Sequence, residues 1–324
     1  MGDIEPMPAS AKLAIVFSPQ GSQAPGMGRD LYESFPACRQ VFELANEALG
    51  FDLAAMCFNG PEEGLRSTEV AQPALLTTSV AALRALQTEG FHPSAVAGHS
   101  VGEYAALVAA QAISFEDGVR LVRRRGELMK EAGAEADGTM AAIIGLTSED
   151  VKRIVEESAG SQILDVANYN SPEQTVISGE RAAIERACEL ARERGAKRTL
   201  LLNVSGAFHS RLMRSAAEEI ERLLSAVEIN APAIPVVANF SADYVRSSEE
   251  IRSALAHQLA GSVRWVESVQ RMIEDGCSVF VEAGVGQALA GMIRRIDGGV
   301  TAAAVSDRAS LQEFVRTVGA GASA

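Results

Sequence analysis

The feature that most constrains this chain is the pentapeptide Gly98-His99-Ser100-Val101-Gly102, set between a short apolar run at residues 95–97 and an Ala-rich stretch at 102–112. A G-x-S-x-G sequence between a strand and a helix marks a sharp turn that lifts the serine hydroxyl to the helix N-terminus. The two glycines allow the turn and the close approach of helix to strand. There the Val101 amide faces a developing oxyanion, and the helix dipole favours negative charge. The pentapeptide alone recurs by chance. Its context makes Ser100 a candidate nucleophile rather than an N-capping serine.

The rest of the chain supplies the sheet that such a turn requires. Apolar strand-like runs at 13–17, 95–98, 235–239, 279–282 and 302–305 alternate with helical patterns, the signature of an α/β fold with a mainly parallel sheet. In the helix expected at 73–88, Leu76, Val80, Leu83 and Leu86 recur at three- and four-residue steps. The middle of the chain reads differently. Strands in "GTMAAIIGL", "ILDVANYN", "QTVISG" and "RTLLLNV" enclose two charged helices at 148–158 and 180–194, and Ser-Pro-Glu marks a hairpin between the second and third. That β-α-β-β-α-β order is the ferredoxin-like pattern. The expected organisation is a large α/β part (1–137 and 204–324) carrying a small inserted α+β subdomain (138–203).

Composition excludes several function classes. A formal charge of −13 argues against nucleic acid or an anionic membrane as a partner. No apolar run reaches the ~18 residues needed to span a bilayer. The opening "MGDIEPMPASAK" has no secretory character and reads as a disordered lead-in, and the closing "VGAGASA" as a frayed tail. Four scattered cysteines (Cys38, Cys57, Cys188, Cys277) without C-x-x-C spacing suggest buried, reduced thiols in a cytoplasmic protein and no metal site.

A serine nucleophile needs a base within ~3 Å, and the chain has four histidines. His99 adjoins the serine, where neighbouring side chains diverge. His92 precedes a proline in a surface loop, and His257 reads as solvated on a helix. His209, in "NVSGAFHSRLM", follows a strand and a glycine that turns the chain, and is the best of the four.

"LVRRRGELM" places three arginines inside an apolar helical pattern. Ser114 and Asp117 have capping-box spacing, so the helix should begin at Phe115. At ~100° per residue, Arg125 lies about 40° from Leu121, between Leu128 and Met129 and in the middle of the apolar stripe. By the same step Arg123, at about 200°, points away and Arg124, at about −60°, sits on the edge. A guanidinium centred on a buried face is expensive unless paired. Its partner is either a core carboxylate or a carboxylate that arrives with a ligand, as a bidentate clamp.

Taken together, "GHSVGEYAAL", "SGAFHS", "TEVAQPALL", "NYNSPEQTVISG" and "FSPQGSQAPGMG" resemble malonyl-CoA:acyl carrier protein transacylases and the acyltransferase domains of polyketide synthases, from about residue 13 to 296. The resemblance implies a hydrolase-like α/β core with a ferredoxin-like insertion, and a dyad of Ser100 and His209 oriented by the backbone carbonyl of Gln258. It implies an oxyanion hole from the Gln20 and Val101 amides, malonyl binding by Arg125 in "RG-x-x-M", and further substrate contacts from Gln72, Met129, Asn168 and Phe208. Phe208 either excludes a 2-methyl branch or simply packs. Two departures appear: Phe17-Ser18-Pro19-Gln20 replaces the family's F-P-G-Q, and Val285 replaces a proline in "EAGVGQAL".

The expected partners are malonyl-CoA, as substrate, and acyl carrier protein, with no bound cofactor and a monomeric enzyme. Carrier proteins are acidic, so Lys197, Arg198, Arg211, Arg214, Arg294 and Arg295 are docking candidates. A solvated-surface role is nearly as plausible for each of them. The competing readings are a trans-acting polyketide acyltransferase, an acyl hydrolase, a silent carrier-binding module and an unrelated serine esterase.

Overall fold

Gly98 and Gly102 bring three segments of backbone closer together than any side chain permits. A Cβ on Gly98 would lie 1.9 Å from the Gly102 carbonyl carbon, and one on Gly102 would lie 2.2 Å from the Phe17 carbonyl oxygen. The elbow therefore seats its helix directly on the two strands at the centre of the larger sheet. The computed structural model describes residues 12–319. The lead-in up to residue 11, and all but the first two residues of the tail expected to fray, lie outside them, while Lys12, expected in the lead-in, opens the first strand.

In chain order the strands are β1 (Lys12–Phe17), β2 (Ala95–Gly98), β3 (Gly138–Ile144), β4 (Leu164–Ser171), β5 (Gln174–Glu180), β6 (Arg198–Leu201), β7 (Val236–Val237), β8 (Tyr244–Val245), β9 (Cys277–Ala283) and β10 (Thr301–Val305). They form two sheets, of order β10-β9-β1-β2-β7-β8 and β4-β5-β3-β6. The first is parallel throughout except for the β7–β8 pair. Leu13 through Phe17 in β1 are all buried, because helices cover both faces of a parallel sheet. This is why the run reads as continuously apolar rather than alternating. The second sheet is antiparallel, and its strands and the helices Ser148–Ala159 and Arg181–Glu193 follow the β-α-β-β-α-β order. Pro172 and Glu173 form the turn of its hairpin.

Three elements differ from expectation for identifiable reasons. The strand expected at 235–239 ends at Val237, because the next residues turn back to pair with β8, and the Ala238 amide donates to the Asp243 carbonyl. β8 itself is two residues long and carries no periodic signal. The helix expected at 73–88 begins five residues earlier, as Thr68–Thr88, with Pro73 inside it. Proline cannot donate to the carbonyl four residues back. That carbonyl, on Glu69, accepts instead from Arg123 Nη1 at 3.0 Å. Arg123, expected as plain surface, is thus half-buried and repairs the neighbouring helix. The Phe115–Glu135 helix starts where the capping signal placed it, with Ser114 Oγ accepting from the Asp117 amide at 3.0 Å.

Gly102→Ala is expected to destabilise the fold by about 3 kcal/mol through forced displacement of β1. Gly298→Ala, where a Cβ meets nothing within 4 Å, should stay within about 0.5 kcal/mol of the parent. Chemical denaturation of the two variants checks this, and equal losses would refute the close-contact argument.

Candidate active site

Ser100 sits at φ 54°, in the left-handed region that a serine enters only under constraint. Asn239, wholly buried, supplies that constraint. Its Oδ1 accepts from the Ser100 amide and its Nδ2 donates to the Gly98 carbonyl, both at 2.6 Å, so one carboxamide spans the elbow. His209 also has positive φ, at 57°, where the chain turns from the segment after β6 into a short 3-10 helix at Arg211–Met213.

That turn brings His209 Nε2 to 2.7 Å from Ser100 Oγ. On the far side of the ring, His209 Nδ1 donates to the backbone carbonyls of Gln258 at 2.9 Å and Gly261 at 3.2 Å. Two carbonyls fix the tautomer that leaves Nε2 free to accept a proton. Burial, and then the positive charge of Arg125, push His209 down to about 3, so the imidazole is neutral at any working pH.

Arg125 is fully buried. Its Nη1 donates to Gln72 Oε1 at 2.9 Å, and its Nη2 to Gln258 Oε1 at 2.9 Å and to Ser100 Oγ at 3.1 Å, while its Nε has no partner. The guanidinium lies over the Tyr104 ring, 5.7 Å from its centroid. Among the described residues no carboxylate forms a salt bridge with it. Its neighbours Arg123 and Arg124, by contrast, pair with Glu127, and Arg124 also with Glu131. Of the two partners open to Arg125 in the sequence, no core carboxylate bonds it directly, and buried Glu103 reaches it only through Gln258.

A cleft of about 660 Å³ opens above these groups, lined by Gln20, Met129, Asn168, Phe208, His99, Ser100 and His209, with Arg66 and Lys130 among its remaining lining residues. Gln20 lies in the turn after β1, and Val101 stands at the N-terminus of the Gly102–Ala109 helix. Gln72 Nε2 reaches Gln20 Oε1 at 3.3 Å and Met129 Sδ at 3.1 Å, tying the two sides of the cleft together. Asn168 is buried and its Nδ2 is without a partner, a donor available to a ligand oxygen. In the departing loop, Ser18 Oγ donates to buried Glu282 and accepts from the Val285 amide, so Ser18 and Val285, both changed from the family pattern, meet in one contact.

The docking candidates do not converge on this cleft. Lys197 pairs with Glu173 and Arg211 with Asp165. Arg294 and Arg295 bond to the carbonyls of Ala302 and Gly291, and Arg198 and Arg214 are exposed. The basic groups that do line the cleft, Arg66 and Lys130, are themselves paired with Glu62 and Glu69, and carried no sequence signal beyond their charge. Asn239 and Glu103 were also missed. Glu103 was visible as the lone charge on the apolar Gly102–Ala109 helix; Asn239 lies in a loop after a strand and offered nothing. His257 is exposed, as expected, and stacks on Phe240. His99 instead is buried, with Nε2 2.8 Å from Asn170 Oδ1.

A hydroxyl on a strained elbow, a neutral imidazole aimed at it and a buried cation beside it define an acyl-transfer site of the serine type. The comparisons narrow this class. Residues 14–312 match the model of the acyl transferase domain. The chain is 43% identical over 309 residues to the malonyl CoA-acyl carrier protein transacylase of Bacillus subtilis (strain 168), covering 95% of this chain and 98% of that one. An acyl carrier protein S-malonyltransferase from Vibrio cholerae matches with a TM-score of 0.91 at 43% identity, over 94% of this chain and all of that one. A malonyl-transacylase solved in complex with a type II polyketide acyl-carrier protein matches with a TM-score of 0.92 at 45% identity, over 94% of this chain and 99% of that one. The chain belongs to the acyl transferase domain family, and it is an acyltransferase.

Burial pushes His99 down to about 4 from 6.5, only partly offset by its bond to Asn170. A histidine depressed in the folded state gives stability that is full above pH 6.5 and is lost as pH falls toward 4. Over that window the parent should lose about 1.4 kcal/mol per pH unit more than His99→Gln does. Denaturation curves across the window measure this difference in slope. Parallel slopes would mean that His99 is charged in the folded protein.

Proposed function

We propose that this enzyme transfers a malonyl group from malonyl-CoA to the phosphopantetheine thiol of acyl carrier protein, supplying extender units for fatty-acid synthesis. The observation that carries the choice of acyl group is Arg125, a fully buried cation beside Ser100 Oγ that, among the described residues, forms no salt bridge with a protein carboxylate. The relatives' own names, malonyl CoA-acyl carrier protein transacylase and S-malonyltransferase, support the same reading.

In the first half-reaction His209 Nε2 takes the Ser100 proton as Oγ attacks the thioester carbonyl. The amides of Val101 and Gln20 receive the oxyanion. As the tetrahedral centre collapses, the carbon–sulfur bond breaks, His209 returns its proton to the departing CoA thiolate, and a malonyl-serine ester remains. The second half-reaction runs the same steps in reverse with the carrier thiol as nucleophile. Throughout, Arg125 holds the distal carboxylate. Its Nη2 bonds Ser100 Oγ, so an incoming carboxylate takes over a donor that the hydroxyl releases on acylation. Acetyl-CoA leaves that cation without its partner, while a malonyl group satisfies it.

Several finer points belong to the same proposal. Asn168, Gln72 and Met129 shape the acyl pocket, and Phe208 occupies the space a 2-methyl branch would need. The segment 138–203 acts as an inserted subdomain forming one wall of the cleft. The enzyme works as a cytoplasmic monomer; among the described residues no helix is long and apolar enough to cross a membrane. Carrier protein docks through basic groups, and of these Arg66 and Lys130 at the cleft are better placed than the six charges expected from sequence. A hydrolase would have no use for Arg125, and a silent module no use for the bonded Ser100–His209 pair.

Incubation with malonyl-CoA should add one malonyl group to the intact mass, absent in Ser100→Ala and discharged when phosphopantetheinylated carrier protein is added. Rapid release of free malonate in place of an adduct would sink the transferase in favour of a hydrolase. Arg125→Ala should lose malonyl loading by roughly a hundredfold or more relative to acetyl loading; equal loss of both would refute the clamp.

A further inference from the structure

Glu103 stands beside the nucleophile but has no step in the transfer above. It lies in the first turn of the Gly102–Ala109 helix, 2% exposed, among otherwise apolar residues. A buried carboxylate is expensive unless its oxygens are bonded and its charge is matched. Its Oε2 accepts from Gln258 Nε2 at 2.6 Å and from the Asn239 amide at 3.1 Å. The opposite charge acting on it is that of Arg125, and the two are joined through a single carboxamide, since Gln258 Oε1 accepts from Arg125 Nη2. Gln258 Nε2 also donates to the Ser100 carbonyl at 3.0 Å. Only one orientation of this amide works. Turned over, its NH2 would face the guanidinium and its oxygen would face a carbonyl and a carboxylate. The backbone carbonyl of the same Gln258 orients His209.

We propose that Glu103 is a positioning residue, acting through Gln258, that balances the Arg125 charge before an acyl group binds and so sets how tightly a carboxylate-bearing acyl group is held. The inference rests on the reading of Arg125 as the acyl clamp. With Glu103 ionised the resting pair is neutral, and an arriving malonyl carboxylate leaves the site with one net negative charge. With Glu103 neutral the same carboxylate exactly cancels Arg125, and binding is tighter.

The charged and titratable groups facing Glu103 are Arg125, from the Phe115–Glu135 helix, and Tyr104, from its own helix. The helix ending at Gln258 and the loop carrying Asn239 present only neutral groups to it. Burial pushes Tyr104 up to about 12 and His99 and His209 down to about 4 and about 3, so none of these changes charge near neutrality. Glu103, pushed up to about 7 by burial, does. Rising pH ionises it and weakens the hold on the acyl carboxylate.

The test measures binding without turnover. Calorimetry on Ser100→Ala gives the affinity for malonyl-CoA relative to CoA, which lacks the acyl carboxylate. That ratio should fall by roughly fivefold as pH rises through about 7. In the Ser100→Ala/Glu103→Gln double variant it should stay at its higher value and be flat with pH, because an amide oxygen still accepts both hydrogen bonds while the charge is gone. A ratio indifferent to both pH and Glu103→Gln overturns the inference and leaves the clamp standing. No preference for malonyl-CoA over CoA at any pH means that the clamp itself is wrong, and the inference falls with it. Should the double variant fail to fold, the pH series on Ser100→Ala alone decides the matter.

Discussion

The rest of this site depends on one buried positive charge. Removing a guanidinium from water costs several kcal/mol unless other groups replace its hydration. Here the replacement is almost entirely neutral: the carboxamides of Gln72 and Gln258, the hydroxyl of Ser100 and the face of Tyr104. Neutral dipoles solvate a cation without cancelling it. The carboxylate that acts on it, Glu103, is set back behind Gln258, so the guanidinium keeps a donor facing the nucleophile. The Phe115–Glu135 helix pays for this with two ordinary ion-paired arginines on its outer side, while the third is held back for the ligand.

The same charge explains the character of the dyad. A carboxylate beside His209 Nδ1 would orient the ring equally well, but it would raise the basicity of the imidazole and lie close enough to Arg125 to compete for it. Backbone carbonyls of Gln258 and Gly261 orient the ring while adding no net charge. Strain is handled in a similar way. Ser100 and His209 both occupy the left-handed region, and both are locked by hydrogen bonds to neighbouring segments rather than by charges. Nucleophile, base and cation are fixed by one network of hydrogen bonds, in which Glu103 takes part through Gln258 and Asn239.

Much of this was legible in the sequence because it depends on local rules. The elbow needs glycines at fixed spacing, the helix start needs a capping residue, and the inward turn of Arg125 follows from helical periodicity. Residues that act across the fold were not legible. Asn239 is one asparagine in a loop until β7 brings it against the elbow. Pro73 looked like a helix start because its lost hydrogen bond is normally fatal to a helix interior, and only tertiary contact with Arg123 makes it tolerable. The exposed cations could not be ranked at all, since charge alone does not say which of them borders a cleft.

Glu103 falls between these two groups, and it shows what the elbow sequence encodes beyond a nucleophile. A carboxylate one residue past the second glycine is carried under the elbow by the first helical turn, where it is buried and does not line the cleft. From there it cannot reach the substrate, but it bonds the same carboxamide that Arg125 bonds. The strand–turn–helix unit thus delivers a nucleophile to one side and a counter-charge to the other, and Gln258 joins them by side chain and base by main chain. A tighter grip on the acyl carboxylate would favour loading but slow the transfer onward, because the same carboxylate must let go when the carrier departs. A counter-charge held at one remove, rather than in a direct ion pair, weakens that grip without removing the selectivity that depends on it.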